Sequence, residues 1–167
     1  METARRRFLP RALLVAAMAA LLLLMAAAPQ PSRWSFVLVG AGCLAAIADG
    51  YAGIFFMLRS PRRERRPGLQ LQVCALWLVN TLAYLVLLNT AAELAVPGSF
   101  QLQGGQASLL DVAYLTILTF ASSGYGDVLP ANPLGKLLSM LTSFSGLLYA
   151  TMLFTAIWQH YAPDRHE

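Results

Sequence analysis

The stretch Val112-Ala113-Tyr114-Leu115-Thr116-Ile117-Leu118-Thr119-Phe120-Ala121-Ser122-Ser123-Gly124-Tyr125-Gly126-Asp127 decides how this chain is read. The apolar run from Leu109 to Ala121 is too short to span a bilayer as a helix, which takes roughly 20 residues. It opens with Ser108-Leu109-Leu110-Asp111, a capping-box-like pattern with Asp in place of the usual Glu or Gln. The spacing predicts a half-membrane helix that starts there and stops at the serines. Such a helix leaves its last carbonyls unpaired, and its C-terminal end, carrying partial negative charge, favours a cation. Non-helical backbone at membrane depth survives only when buried in protein or lining a water-filled path. Two glycines spaced by one residue permit positive φ at alternate positions, so that successive carbonyls point the same way. A column of carbonyl oxygens can replace the water shell of a bare monovalent cation. One chain supplies one wall of such a column, so several chains must surround the axis.

The rest of the chain fits a membrane. Of 167 residues, 57% are hydrophobic and only 12% charged, against about 25% charged in soluble domains, and the mean hydropathy is +0.58. This excludes a disordered chain and argues against a soluble enzyme. No charge occurs between Arg11 and Arg33, from Pro67 to Ala92, or from Leu137 to Pro163, and Asp49 alone interrupts Trp34 to Leu58. Transmembrane helices are expected at 9–28, 34–58, 70–96 and 134–160. Arg5, Arg6, Arg7, Arg11, Arg59, Arg62, Arg63, Arg65, Arg66 and Arg165 flank one side of these spans, and only Arg33 and Lys136 the other. By the positive-inside rule both termini and the Arg-rich loop face the cytoplasm, and the segment from Pro97 to Pro133 faces outward. The pI near 9.4 does not indicate nucleic acid, because no basic face exists outside the span flanks. A competing reading of the first span is a secretory signal peptide ending at Ala26-Ala27-Ala28-Pro29. Cys43 and Cys74 lie inside apolar spans and read as packed or lipid-facing thiols. No nucleotide loop, metal-ligand cluster or nucleophile–base pair stands at a readable spacing, so the chain is not read as an enzyme.

The segment Thr119 to Asp127 resembles the signature of the potassium-channel pore family, usually written T-x-x-T-V-G-Y-G-D. Asp127-Val128-Leu129-Pro130 is similar to that family's outer-mouth turn, Gly135-Lys136 to the start of its inner helix, and Gly146 stands where its hinge glycine often falls. The resemblance covers about 70–160 and implies a two-helix pore module. It implies that the backbone carbonyls of Ser122, Ser123, Gly124 and Tyr125 coordinate K+, that the Ser122 hydroxyl completes the innermost site, and that Gly126 ends the ion-coordinating filter. It also implies that Asp127 stands behind the filter and pairs with the Tyr114 hydroxyl. Leu118 stands where some members carry a second supporting carboxylate. The family's Thr and Val or Ile are replaced by Ser122 and Ser123, which loses β-branched packing behind the filter.

Downstream, Asn132-Pro133 reads as the N-cap and first position of the inner helix. Gly146, Ala150, Phe154 and Trp158 recur every four residues, a candidate pore-lining stripe with Phe154 and Trp158 as the gate; Trp158 reads equally as an interfacial belt residue. Asp49 and Asn80 are expected at similar depth as a polar pair, and His160 and His166 as interfacial or solvated. No span carries Arg at every third position, so a voltage sensor of the Arg-rich kind is not expected.

The expected fold is an all-α membrane protein: four transmembrane helices, a re-entrant pore helix and an extended selectivity filter. Residues 1–69 hold two peripheral helices and the Arg-rich loop. Residues 70–161 form the pore module, with outer helix 70–96, pore helix 109–121, filter 122–127 and inner helix 134–160, and 162–167 form a cytoplasmic tail. The expected function is a homotetrameric K+ channel of the plasma or bacterial inner membrane, with no cofactor beyond permeant K+. Anionic lipids are possible partners at Arg59, Arg62, Arg63, Arg65 and Arg66. Two alternatives stand beside it: a weakly selective cation channel, and a non-conducting scaffold or accessory subunit with a pore-like fold.

Overall fold

The computed structural model describes residues 20, 33–59, 67–124 and 126–161. The expected first span at 9–28, the loop arginines Arg62, Arg63, Arg65 and Arg66, the filter residue Tyr125 and the tail 162–167 lie outside the described residues. Among the described residues four helices carry the fold: α1 (Arg33–Arg59), α2 (Pro67–Ala95), α3 (Leu109–Phe120) and α4 (Pro133–Tyr161). Among the described residues, three stretches are long and apolar enough to cross a membrane: Trp34–Phe56, Leu71–Ala95 and Pro133–Gln159. Leu109–Phe120 is the shorter apolar helix. The chain is an all-α membrane protein.

The membrane helices are apolar on every side, so packing is chosen by shape rather than by polarity. α1 buries Val39, Cys43, Ile47 and Ile54, spaced four, four and seven residues apart, which makes one stripe. Its Gly50 takes the Trp77 ring of α2: a Cβ at that position would stand 2.7 Å from Trp77 Cζ3. Close helix approach through a small residue is the usual device where lipid removes the hydrophobic drive between helices. α2 is the hub and packs against α1, α3 and α4. Cys43 and Cys74 are both free and buried.

The segments between α2 and α3 and between α3 and α4 together form an antiparallel sheet that the sequence reading did not anticipate. Strands β1 (Phe100–Leu102), β2 (Gly105–Gln106) and β3 (Val128–Pro130) lie in the order β2-β1-β3. β1 pairs with β3 as Phe100↔Pro130, Gln101↔Leu129 and Leu102↔Val128. The sheet is pinned to the helices by Phe100 and Val128, both buried. Glu93 near the end of α2 holds its entry: Oε1 accepts from Gly98 N at 2.8 Å and Oε2 from Phe100 N at 2.9 Å. The half-buried Glu93 carboxylate thereby organises the turn.

Candidate functional site

The site is the segment from Ser108 to Asp127 and the walls that hold it. α3 begins at a full capping box. The Ser108 hydroxyl accepts from Asp111 N at 3.2 Å, and Asp111 Oδ2 accepts from Ser108 N at 2.8 Å and from the Ser108 hydroxyl at 2.7 Å. Those bonds, the hydroxyl's first, hold the exposed Asp111 carboxyl below its ordinary range.

α3 ends as sharply. Ser122 N donates to Thr119 O at 3.1 Å and Ser123 N to Leu118 O at 2.9 Å. This is the Schellman pattern, in which the residue after the C-cap adopts the left-handed region and is usually Gly. Here that residue is Ser122, with φ 56°, the one non-glycine at positive φ among the described residues. A side chain there costs about 1–2 kcal/mol, the kind of strain that marks functional segments. Gly124 at φ 43° and Gly126 at φ 75° follow. Positive φ therefore falls on Ser122, Gly124 and Gly126. The carbonyls of Leu118 and Thr119 are paired by this turn, so fewer helix-end acceptors are left open than a helix that simply stopped would leave.

The inner end of the segment rests on α4. A Cβ at Gly146 would stand 2.0 Å from Phe120 O and 2.9 Å from Phe120 C, so only glycine fits. Gly146, expected as a hinge, is in this geometry the seat of the α3 terminus, which the four-residue stripe did not reveal. Beside it the Phe120 and Tyr149 rings meet at 6.0 Å, and the Tyr149 hydroxyl donates to Cys74 O at 2.7 Å. One residue earlier, the Tyr51 hydroxyl of α1 donates to Ser145 O at 2.7 Å. Higher on the same helices, Asn89 Nδ2 donates to the Thr116 hydroxyl at 3.0 Å and to the Thr142 hydroxyl at 3.2 Å. Both hydroxyls donate onward to helical carbonyls, Thr116 to Val112 O and Thr142 to Leu138 O. One buried amide thus joins α2, α3 and α4; its Oδ1 has no hydrogen-bond partner among the described residues.

The outer end is held differently. Gln103 Nε2 donates to Gly126 O at 2.9 Å, and Gln103 N donates to Asp127 O at 2.9 Å. Asp127 is exposed, and its Oδ1 accepts from Val128 N at 3.1 Å. Within one protomer Asp127 is therefore tied to Val128 and Gln103, while Tyr114 stands on the exposed side of α3. The Gly126 carbonyl, expected at the filter end, is engaged by Gln103. At the other side of the sheet, Asn132 caps α4 as expected: its Oδ1 accepts from Gly135 N at 2.8 Å, and its Nδ2 donates to the Ser99 hydroxyl at 3.0 Å.

The remaining expected residues are spread along the helices. Phe154 and Trp158 are exposed on α4 with rings stacked at 6.4 Å. Asp49 lies on the exposed flank of α1 because Gly50 takes the face toward α2, and Asn80 is half-buried on α2. No hydrogen bond joins this pair among the described residues. Asn89, Gln103 and Tyr51 were missed. Asn89 sits in a polar pair, Asn89-Thr90, inside an otherwise apolar helix, which was a readable signal.

Comparison with known proteins gives one match. No curated protein and no solved structure matches the chain. Residues 73–161 match the profile of a family described as ion channel, and this span covers more than half of the chain. It contains most of α2, the sheet, α3, the glycine-bearing segment and α4. A short helix ending inside the protein, followed by positive φ at Ser122, Gly124 and Gly126 and by a helix with a glycine seat, is thereby placed in a non-enzymatic transport class: the chain belongs to the ion channel family.

Proposed function

We propose that four copies of this chain form a K+-selective channel in a cell membrane, with residues 70–161 as the pore module. The observation that carries the reading is the positive φ at Ser122, Gly124 and Gly126 directly beyond the C-terminus of α3. Positive φ at alternate positions lets successive carbonyls face one side, as a dehydrated monovalent cation requires. Carbonyls of Ser122, Ser123, Gly124 and Tyr125 coordinate the ion, the Ser122 hydroxyl completes the innermost site, and neighbouring ions repel one another forward. The mechanism is passive. Leu110, Tyr114 and Ile117 on α3 and Leu137, Met140, Phe144 and Leu147 on α4 are exposed in the lone protomer, and in the tetramer they face neighbouring protomers or lipid. Phe154 and Trp158 narrow the cytoplasmic end of the path. Both termini and the loop after α1 face the cytoplasm, where an open crevice of about 380 Å³ lies between α1 and α4. Its walls include Phe55, Leu58 and Met152, and Arg59 contributes to its lining. It suits the headgroup and upper chain of an anionic lipid.

A weakly selective cation channel is the second reading, favoured by Ser123. Its side chain is exposed in the protomer and brings none of the β-branched packing that stiffens such a segment. Planar-bilayer recording of the purified protein under K+/Na+ bi-ionic conditions tests both. A reversal potential set by K+ supports the proposal, and one near zero supports the weakly selective reading. Absence of flux from a tetrameric particle supports a non-conducting scaffold, and a stable monomer or dimer removes the proposed architecture. Ser123→Val is expected to sharpen K+ over Na+ selectivity, through a change of roughly 0.5–3 kcal/mol. Lower selectivity in that variant would make the Ser123 hydroxyl part of the filter.

A further inference from the structure

We infer that Gln103 is a positioning residue that sets the outer end of the conduction segment; the inference rests on the channel reading above and deepens it. Gln103 and Gly104 form the tip of the β1–β2 hairpin between the paired residues Leu102 and Gly105. Gly104 has φ 99°, the positive value that a type II turn needs at its second central residue. This places Gln103 at the first central position, facing the strand that leaves the segment. From there one residue grips two consecutive peptides: its side-chain amide donates to Gly126 O at 2.9 Å and its backbone N–H to Asp127 O at 2.9 Å. The second bond extends the β1–β3 ladder by one step beyond Leu102↔Val128.

The grip transmits a buried position to an exposed one. Phe100 and Val128 fix the two strands in the core, and Glu93 fixes the start of β1 through Phe100 N. The ladder then carries that position to Gln103. Gly126, at φ 75°, belongs to the residue type with the widest conformational freedom, so the Gly126 peptide is the place where an outside hydrogen bond decides orientation. The side-chain amide is the only part of this grip that substitution can remove without disturbing the strand pairing.

The test uses the full-length protein in planar bilayers. Gln103→Met keeps the length of the side chain and removes the donor. Gln106→Met, on the same hairpin with its side chain exposed, is the control. Gln103→Met is expected to lower the K+/Na+ permeability ratio by about two- to tenfold, the range set by one lost hydrogen bond. Its current is expected to decay faster in low external K+, with raised external K+ slowing the decay. Gln106→Met is expected to match the parent protein in both. Particle size and thermal unfolding of Gln103→Met should stay at parent values; if they do not, Gln103→Glu, which places an acceptor against Gly126 O, is read in the same way. Unchanged permeability and decay in the donor-free variant overturn the role of Gln103, and so does an equal change in the Gln106 control. A parent protein that conducts K+ selectively while Gln103→Met is silent in these readouts refutes this inference and leaves the channel reading intact. A parent protein without selective flux refutes both.

Discussion

The two ends of the segment that follows α3 are fastened by opposite means. At the inner end, Phe120 O lies directly against the α-carbon of Gly146, and the buried amide of Asn89 ties α2 to α3 and α4. At the outer end, an exposed glutamine reaches two carbonyls from a hairpin tip. Buried backbone contacts have no slack, because protein interiors are close-packed and any added atom forces strain. An exposed hydrogen bond exchanges with water and contributes only about 0.5–1.5 kcal/mol net. The inner end is therefore coupled to whether the protein folds, and the outer end to how the folded protein behaves.

Gly146→Ala gives the largest expected effect. Its Cβ meets backbone rather than a flexible side chain, so relaxation must move α3 or α4 bodily, at about 3 kcal/mol or more. Thermal unfolding and particle size of the detergent-solubilised variant measure this, and a variant as stable as the parent breaks the contrast between the two ends. Asn89→Ala comes next. It deletes two hydrogen bonds and opens a cavity where three helices meet, for about 2–4 kcal/mol. Loss of selectivity without loss of stability in this variant would show that the buried end also tunes function.

The smallest effect is at the N-terminus of α3. The Asp111 carboxyl is held below its ordinary value of 3.8 by the Ser108 hydroxyl and backbone N–H. A depressed folded value means that the cap is fully present above 3.8 and is lost only as pH falls through the lower folded value. The protection of the first α3 amides, exchange corrected for its intrinsic pH dependence, is therefore expected to stay flat from neutrality down to about pH 4 and to fall below it. A fall already at mildly acidic pH would contradict the sign. Asp111→Asn should erase the acid step.

The helices were legible because membrane residence writes itself into charge spacing: Pro67 to Ala92 and Leu137 to Pro163 hold no charge, and α2 and α4 lie there. The ends of α3 and α4 were legible for a local reason. Ser108, Asp111, Asn132 and Pro133 act on backbone groups within three residues of themselves. The alternating pattern Phe100-Gln101-Leu102-Gln103 followed by Gly104-Gly105 is a hairpin signal. It was overlooked because two short strands gain stability only by pairing with β3, more than twenty residues away. Asn89, Gly146 and Gln103 were illegible in role because each acts on a partner distant in sequence. Gly146 looked like a point of flexibility, and only the approach of Phe120 O shows that it is a point of contact.

That contact has a counterpart. A Cβ at Gly135 would stand 2.2 Å from Ser99 O, so α4 touches the preceding chain through a second glycine. Gly135 and Gly146 are roughly three turns apart, about 16 Å along the axis and within about 20° of the same face. The inner helix is thus a ruler with two notches. It fixes the depth of the α3 terminus below the outer turn by its own rise per residue, a length that side-chain repacking cannot adjust. One residue inserted between the notches would add about 100° of rotation, leaving them about 120° apart, and lengthen the ruler by about 1.5 Å, so that Ser99 and Phe120 could not both be seated. The depth of the segment is set by counting residues, and the count leaves no remainder to distribute.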